Sequence, residues 1–124
     1  MTDWHRIQYL KDSFKVFIRM RLQQVNPQEQ IFWMLDAHGN GLRNINALEV
    51  FGMHGLWTAV WYLSKCQHLD LWEIDRAYAD FARRLGSNVN VTVGDSVNAA
   101  NKNDSRLGKY NFIMLDNPLG GVYG

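Results

Sequence analysis

The feature that most constrains this chain is a recurring local pattern: a short apolar run that ends at an acid or glycine turn and passes into a helix signal. The acids are Glu49, Glu73, Asp95 and Asp116, spaced 24, 22 and 21 residues apart. Each interval has room for one strand and one helix. Short apolar runs alternating with helical segments predict a parallel α/β sheet. Ligands of such sheets sit outside the carboxyl ends of the strands, so the spacing predicts that the four acids converge on one rim. A single acid after a strand is an ordinary helix cap, and Asp75 and Asp95 each suit that role. Four acids at the same end of consecutive strands are hard to obtain from capping alone.

The first unit is Ala47 to Thr58, A-L-E-V-F-G-M-H-G-L-W-T. Its apolar run breaks at Gly52 and Gly55 and becomes a helical pattern over 56–66. Glycines there would let backbone N–H groups and a helix N-terminus approach a polar ligand closely. Next comes H-L-D-L-W-E-I at 68–74, after which Asp75 opens a helix with Tyr78, Phe81 and Leu85 on one face and Gly86 as its stop. N-V-N-V-T-V at 88–93 alternates and is rich in β-branched residues, a strand signature. It ends in Gly94-Asp95-Ser96 and a short helical segment. Y-N-F-I-M-L at 110–115 reads as a further strand, ending in Asp116-Asn117-Pro118.

Two helices are expected before the sheet, making residues 1–44 an N-terminal helical segment. From Trp4 to Val25 the residues Ile7, Leu10, Phe14, Phe17, Ile18, Leu22 and Val25 recur at three and four, one face of an amphipathic helix. Lys11, Lys15 and Arg19 form a basic stripe on it. A solvated face is the plain reading of that stripe; a phosphate-contacting arm is the sharper one. Asn26-Pro27-Gln28-Glu29 is a helix start, and the second helix should end near His38-Gly39. His38 has no partner at ligand spacing, so it reads as a helix-end residue and no metal site is expected. Trp57 and Trp61 lie four apart on the helix after the first strand. They read as packing anchors for the 27–38 helix, with Leu56, Val60 and Leu63 meeting the sheet; a base-stacking platform is the alternative.

Composition excludes several classes. At 124 residues, 47% hydrophobic and 20% charged, the chain has the makeup of an ordered soluble domain. A net charge of +1 leaves no global field that argues for nucleic acid. One cysteine, Cys66, rules out an internal disulfide and suits a reducing compartment. The N-terminus lacks a signal-peptide core, and no apolar run approaches the roughly 20 residues of a membrane span. The expected location is the cytoplasm, with no membrane partner.

Over residues 45–119 the chain resembles the Rossmann-like S-adenosylmethionine-dependent methyltransferases. L-E-V-F-G-M-H-G is similar to their first motif, L-[DE]-L-F-A-G-x-G, with Glu49, Phe51 and Gly55 in register, Gly52 at the usual alanine and Met53 at the middle glycine. The resemblance implies that this stretch cradles the methionine end of S-adenosyl-L-methionine. It implies that Glu73 accepts the ribose hydroxyls, Ile74 flanks the adenine, and Asp95 with Ser96 in V-G-D-S lies near the adenine amino group. D-N-P-L at 116–119 resembles [DN]-P-P-[YFW] of enzymes acting on exocyclic amino groups. There Asp116 and the Asn117 carbonyl, in the turn made by Pro118, would accept hydrogen bonds from the target nitrogen. Leu119 replaces the aromatic that would stack on a flipped base. The implied acceptor is nucleic acid or protein, and the implied sheet order is 3-2-1-4.

Two other readings compete. A nicotinamide-binding Rossmann domain needs G-x-G-x-x-G; with Gly52 first, the other positions hold His54 and Trp57. A non-catalytic Rossmann-like binding or interaction module is the second. The family fold has seven strands and four are expected here, so residues 45–124 read as the N-terminal part of a cofactor-binding domain. The 110–115 strand, apolar on both sides, would then lie at an open edge and invite self-association or a complementary chain.

Overall fold

The computed structural model describes residues 3–22, 30, 45–102 and 108–115. Within them β1 (Ile45–Val50), β2 (Cys66–Glu73), β3 (Val89–Val93) and β4 (Phe112–Leu115) form one parallel sheet in the order β3-β2-β1-β4. The fold is α/β and Rossmann-like, with the expected order. β1 is central: Ala47 lies opposite Leu69 of β2 and Phe112 of β4. The expected 27–38 helix, His38, and Asp116 to Leu119 lie outside the described residues.

Strand side chains alternate between the two faces, and each face builds its own core. On the first, Ile45, Ala47, Leu69 and Leu71 pack with Ala59 and Tyr62 of α2 (Ala59–Tyr62) and Ala82 of α3 (Arg76–Ala82). Fully burying a leucine side chain stabilises by about 1.5–3 kcal/mol, so Leu69 and Leu71 anchor this face. Cys66 joins it, and burial pushes its thiol up to about 11. On the second face Leu48, Val50 and Trp72 meet Phe51, Tyr110 and Ala99 of α4 (Ser96–Asn101). Asp75 and Asp95 cap α3 and α4 by accepting backbone N–H groups two and three residues on.

Two expectations need correction. The helix expected over 56–66 is only α2 followed by a 3-10 turn, Leu63–Lys65, and β2 begins at Cys66 rather than His68. Residues 53–58 are spent in turns, and the Val60 N–H reaches back to the Gly55 carbonyl (2.9 Å), a wider turn than a regular helix makes. Accordingly Ala59 and Tyr62, not Leu56 and Val60, meet the sheet with Leu63.

The second correction is the orientation of α1 (Asp3–Arg21). The helix forms, but Ile7, Leu10, Phe14 and Phe17 are exposed and Asp12 is buried. The face toward the domain carries His5, Gln8, Tyr9 and Asp12, also at helical spacing. Tyr9 stacks on Phe81 at 4.2 Å between ring centroids, and Asp12 accepts three side-chain hydrogen bonds. The bonds from His54 and Trp57, which cross to α1 from the turn, select the polar face over the apolar one.

The strand expected over 110–115 forms as β4 over 112–115 and keeps its expected place. Phe112 and Met114 pack on the first core, while Ile113 and Leu115 lie on the second face beside Leu48 and Val50 and are exposed. Among the described strands β4 pairs with β1 alone, so it is an edge. No helix among the described residues is long and apolar enough to cross a membrane.

Candidate functional site

The site grows from the sharp turn after β1. The ladder continues one step past Val50, with the Gly52 N–H donating to the Trp72 carbonyl (3.1 Å). Phe51, Met53 and Gly55 then take positive φ of 59°, 47° and 78°. For the two non-glycine residues this left-handed backbone costs about 1–2 kcal/mol each. The glycines have packing reasons: a Cβ on Gly52 would overlap the Leu71 side chain, and one on Gly55 would overlap Leu85. They let the turn lie flat on β2 and on the turn that follows α3.

Glu73 gathers this turn. Its Oε2 accepts the Met53 N–H (2.6 Å) and its Oε1 the Asp75 N–H (2.8 Å). Asp75 accepts from the Ala77 and Tyr78 N–H groups and pairs with His5 of α1 (2.9 Å). Burial raises the Asp75 carboxyl, but the His5, Tyr78 and Ala77 bonds together hold it below the usual carboxylate range. Asp95 is exposed and accepts from Val97 and Asn98.

Between these elements lies a cleft of about 340 Å³ at the carboxyl ends of β1, β2 and β3, lined by Phe51, Met53, Trp72, Glu73, Ile74, Asp75, Tyr78, Gly94, Asp95 and Ser96. That volume is within the range of small-molecule sites, about 300–1,000 Å³. The sheet brings Phe51, Glu73, Ile74, Asp95 and Ser96 together there, as their spacing predicts. Met53, Trp72, Tyr78 and Gly94 join them without having been singled out as contacts. Met53 was visible only as the non-glycine in a glycine position, and Tyr78 only as a core-facing helix residue.

Glu49, Gly52 and Gly55 do not line the cleft. Glu49 shares its side of β1 with Ala47, beneath α2, and is 1% exposed. The Thr58 and Tyr62 hydroxyls both donate to it. Burial, and next the Glu49 charge, push the Tyr62 hydroxyl far above its ordinary range. This carboxylate ties the end of β1 to α2. The strand's period of two decides its direction, which the motif alone did not reveal.

A second network fastens α1 to the same turn. His54 is fully buried; its Nδ1 accepts the Leu56 N–H (3.2 Å), so Nε2 carries the hydrogen and donates to Asp12 (2.8 Å). Gln8 (2.7 Å) and Trp57 Nε1 (3.0 Å) also donate to Asp12. Burial lowers the His54 pKa more than the Asp12 and Glu73 charges raise it. The ring of Tyr78, a wall of the cleft, meets His5 edge-on at 4.7 Å and His54 at 5.6 Å. The geometry of the cleft therefore depends on α1. Among the described residues no three His, Cys, Asp or Glu side chains come together as metal ligands.

No family model matches the chain, and no curated protein matches it. Among solved structures, the crystal structure of Thermoplasma acidophilum 1320 is similar over 64% of this chain at 18% identity and a TM-score of 0.45. The match covers 45% of that protein, so this chain spans less than half its length.

Proposed function

We propose that the chain binds S-adenosyl-L-methionine in the rim cleft and forms the cofactor-binding part of a methyltransferase for an amino nitrogen of nucleic acid or protein. The observation that carries the reading is the convergence of Phe51, Glu73, Ile74, Asp95 and Ser96 on one cleft. The residues suit the group. Each Glu73 oxygen holds one backbone N–H, which leaves acceptor positions on both for a pair of ribose hydroxyls. Ile74, beside it, is 68% exposed and offers an apolar surface to a flat adenine. Asp95 offers an acceptor to the adenine amino group, and Phe51 and Met53 bring the strained turn to the cleft where the methionine end would lie.

When bound, the cofactor supplies a methyl group activated by a sulfonium. What this chain contributes is binding, orientation and exclusion of water. Under this reading Asp116 and the Asn117 carbonyl accept hydrogen bonds from the acceptor amine and aim its lone pair.

Calorimetric titration with S-adenosyl-L-methionine tests the reading on wild type, Glu73→Gln and Ile74→Asp. Ile74 is exposed, so its replacement leaves the core untouched. Loss of a charged hydrogen-bond partner should weaken binding about ten- to hundredfold. Ile74→Asp, which sets a charge against the adenine face, should weaken binding too. No measurable binding to wild type, or equal affinities in folded variants, refutes it.

A further inference from the structure

We propose a second binding site, for a single strand of nucleic acid, in the hollow between α1 and α2. It names the acceptor class and rests on the methyltransferase reading for its purpose, although its test does not. The hollow, about 170 Å³, is walled by Asp12, Lys15 and Arg19 of α1 and by Trp57 and Trp61. Two features of the sequence, the basic stripe and the tryptophan pair, thus meet in one place. The indoles face α1.

Trp57 carries the argument. Its Nε1–H is pinned to the buried Asp12 carboxylate (3.0 Å), and its ring meets His54 edge-on at 6.1 Å. Yet 46% of the residue remains exposed. A ring held this firmly and left half in solvent offers a rigid π-face. Trp61, buried, lines the hollow beside it.

The charges around it are cationic. Asp12 is 4% exposed and already accepts from Gln8, His54 and Trp57, with the Lys15 ammonium 4.0 Å away. The solvent side of the hollow is therefore set by Lys15 and Arg19, one helical turn or about 6 Å apart along the axis. α1 holds five basic residues against two acidic ones in a chain whose net charge is only +1. Cations beside a fixed aromatic plane are what binds single strands: the cations hold phosphates and the ring stacks a base. An acidic peptide would use the cations but leave the indole idle, and a duplex keeps its bases stacked on one another. Trp57 also lies four residues beyond Met53 of the cofactor cleft, so one loop serves both sites.

Fluorescence anisotropy of a labelled single-stranded RNA of about 12 nucleotides, titrated with the full chain over a salt series, tests this. Lys15→Ala with Arg19→Ala should weaken binding at least about tenfold and reduce the salt slope by about 1.4, near 0.7 per phosphate contact. Trp57→Ala should weaken it about five- to hundredfold, and Trp57→Phe should restore most of the loss. If Trp57→Ala unfolds, the Trp57→Phe protein and the exposed charge pair decide. Unchanged affinity in the folded charge variant overturns the proposal. So does loss with the cations but not with Trp57, or equal competition by polyglutamate or by duplex. Calorimetry with S-adenosyl-L-methionine on the same samples separates the two readings. RNA binding without cofactor binding removes the methyltransferase and keeps this site; the reverse removes this site alone.

Discussion

Replacing Asp12 by alanine should unfasten α1 from the turn that shapes the cleft. Asp12 accepts hydrogen bonds from Gln8, His54 and Trp57. The donors differ in what their loss costs. His54 is fully buried, so its Nε2–H would be left without an acceptor, at about 1–3 kcal/mol. The Trp57 N–H sits on a half-exposed ring and Gln8 on a part-exposed helix, so water can replace Asp12 there and each loss is nearer about 0.5 kcal/mol. The expected cost is about 2–4 kcal/mol, a large share of the roughly 5–15 kcal/mol that holds a domain together. For a chain of this size that lowers the melting temperature by about 8–15 °C. Urea unfolding followed by circular dichroism measures it directly. Asp12→Asn keeps a neutral acceptor for His54 and should lose about half as much. The double variant with His54→Ala should show a coupling of at least about 1 kcal/mol. A loss under about 1 kcal/mol in Asp12→Ala, or no coupling, refutes the claim that this contact holds α1 in place.

The same network makes stability pH-dependent. The folded-state pKa of His54 lies below its ordinary 6.5, so between the two values the unfolded chain binds the extra proton. Stability should fall as pH drops from 7.5 to 5.5, and His54→Gln should flatten that slope in melting scans. Asp12 and Asp75, both depressed from 3.8, add losses only at lower pH. Tyr62→Phe removes a hydroxyl that bonds the sealed Glu49 carboxylate and should cost about 1.5–3 kcal/mol by urea unfolding; a neutral outcome would mean Glu49 is satisfied without it. Gly55→Ala, at φ 78° and against Leu85, should cost about 1–3 kcal/mol. Gly94→Ala meets nothing within 4 Å and should leave the melting temperature unchanged.

Much of the architecture is legible in local sequence because its causes are local. The β-branched alternation of 88–93, and the acids at 75 and 95 that cap the helices after β2 and β3, involve only near neighbours. Regular spacing of strand ends then suffices to gather Glu73, Ile74, Asp95 and Ser96 at one rim, since parallel strands place equivalent ends together. What the tertiary structure alone decided are choices between faces and between causes. Helical periodicity marked α1 but could not say that bonds from His54 and Trp57 to Asp12 would turn its polar side inward. Gly52 and Gly55 looked like room for a ligand, and are room for Leu71 and Leu85. Glu49 looked like a cofactor contact, yet the two-residue period of β1 aims it under α2, where Thr58 and Tyr62 meet it. In each case the deciding partner is distant in sequence or lies across a turn whose path is irregular, so spacing along the chain carries no record of it.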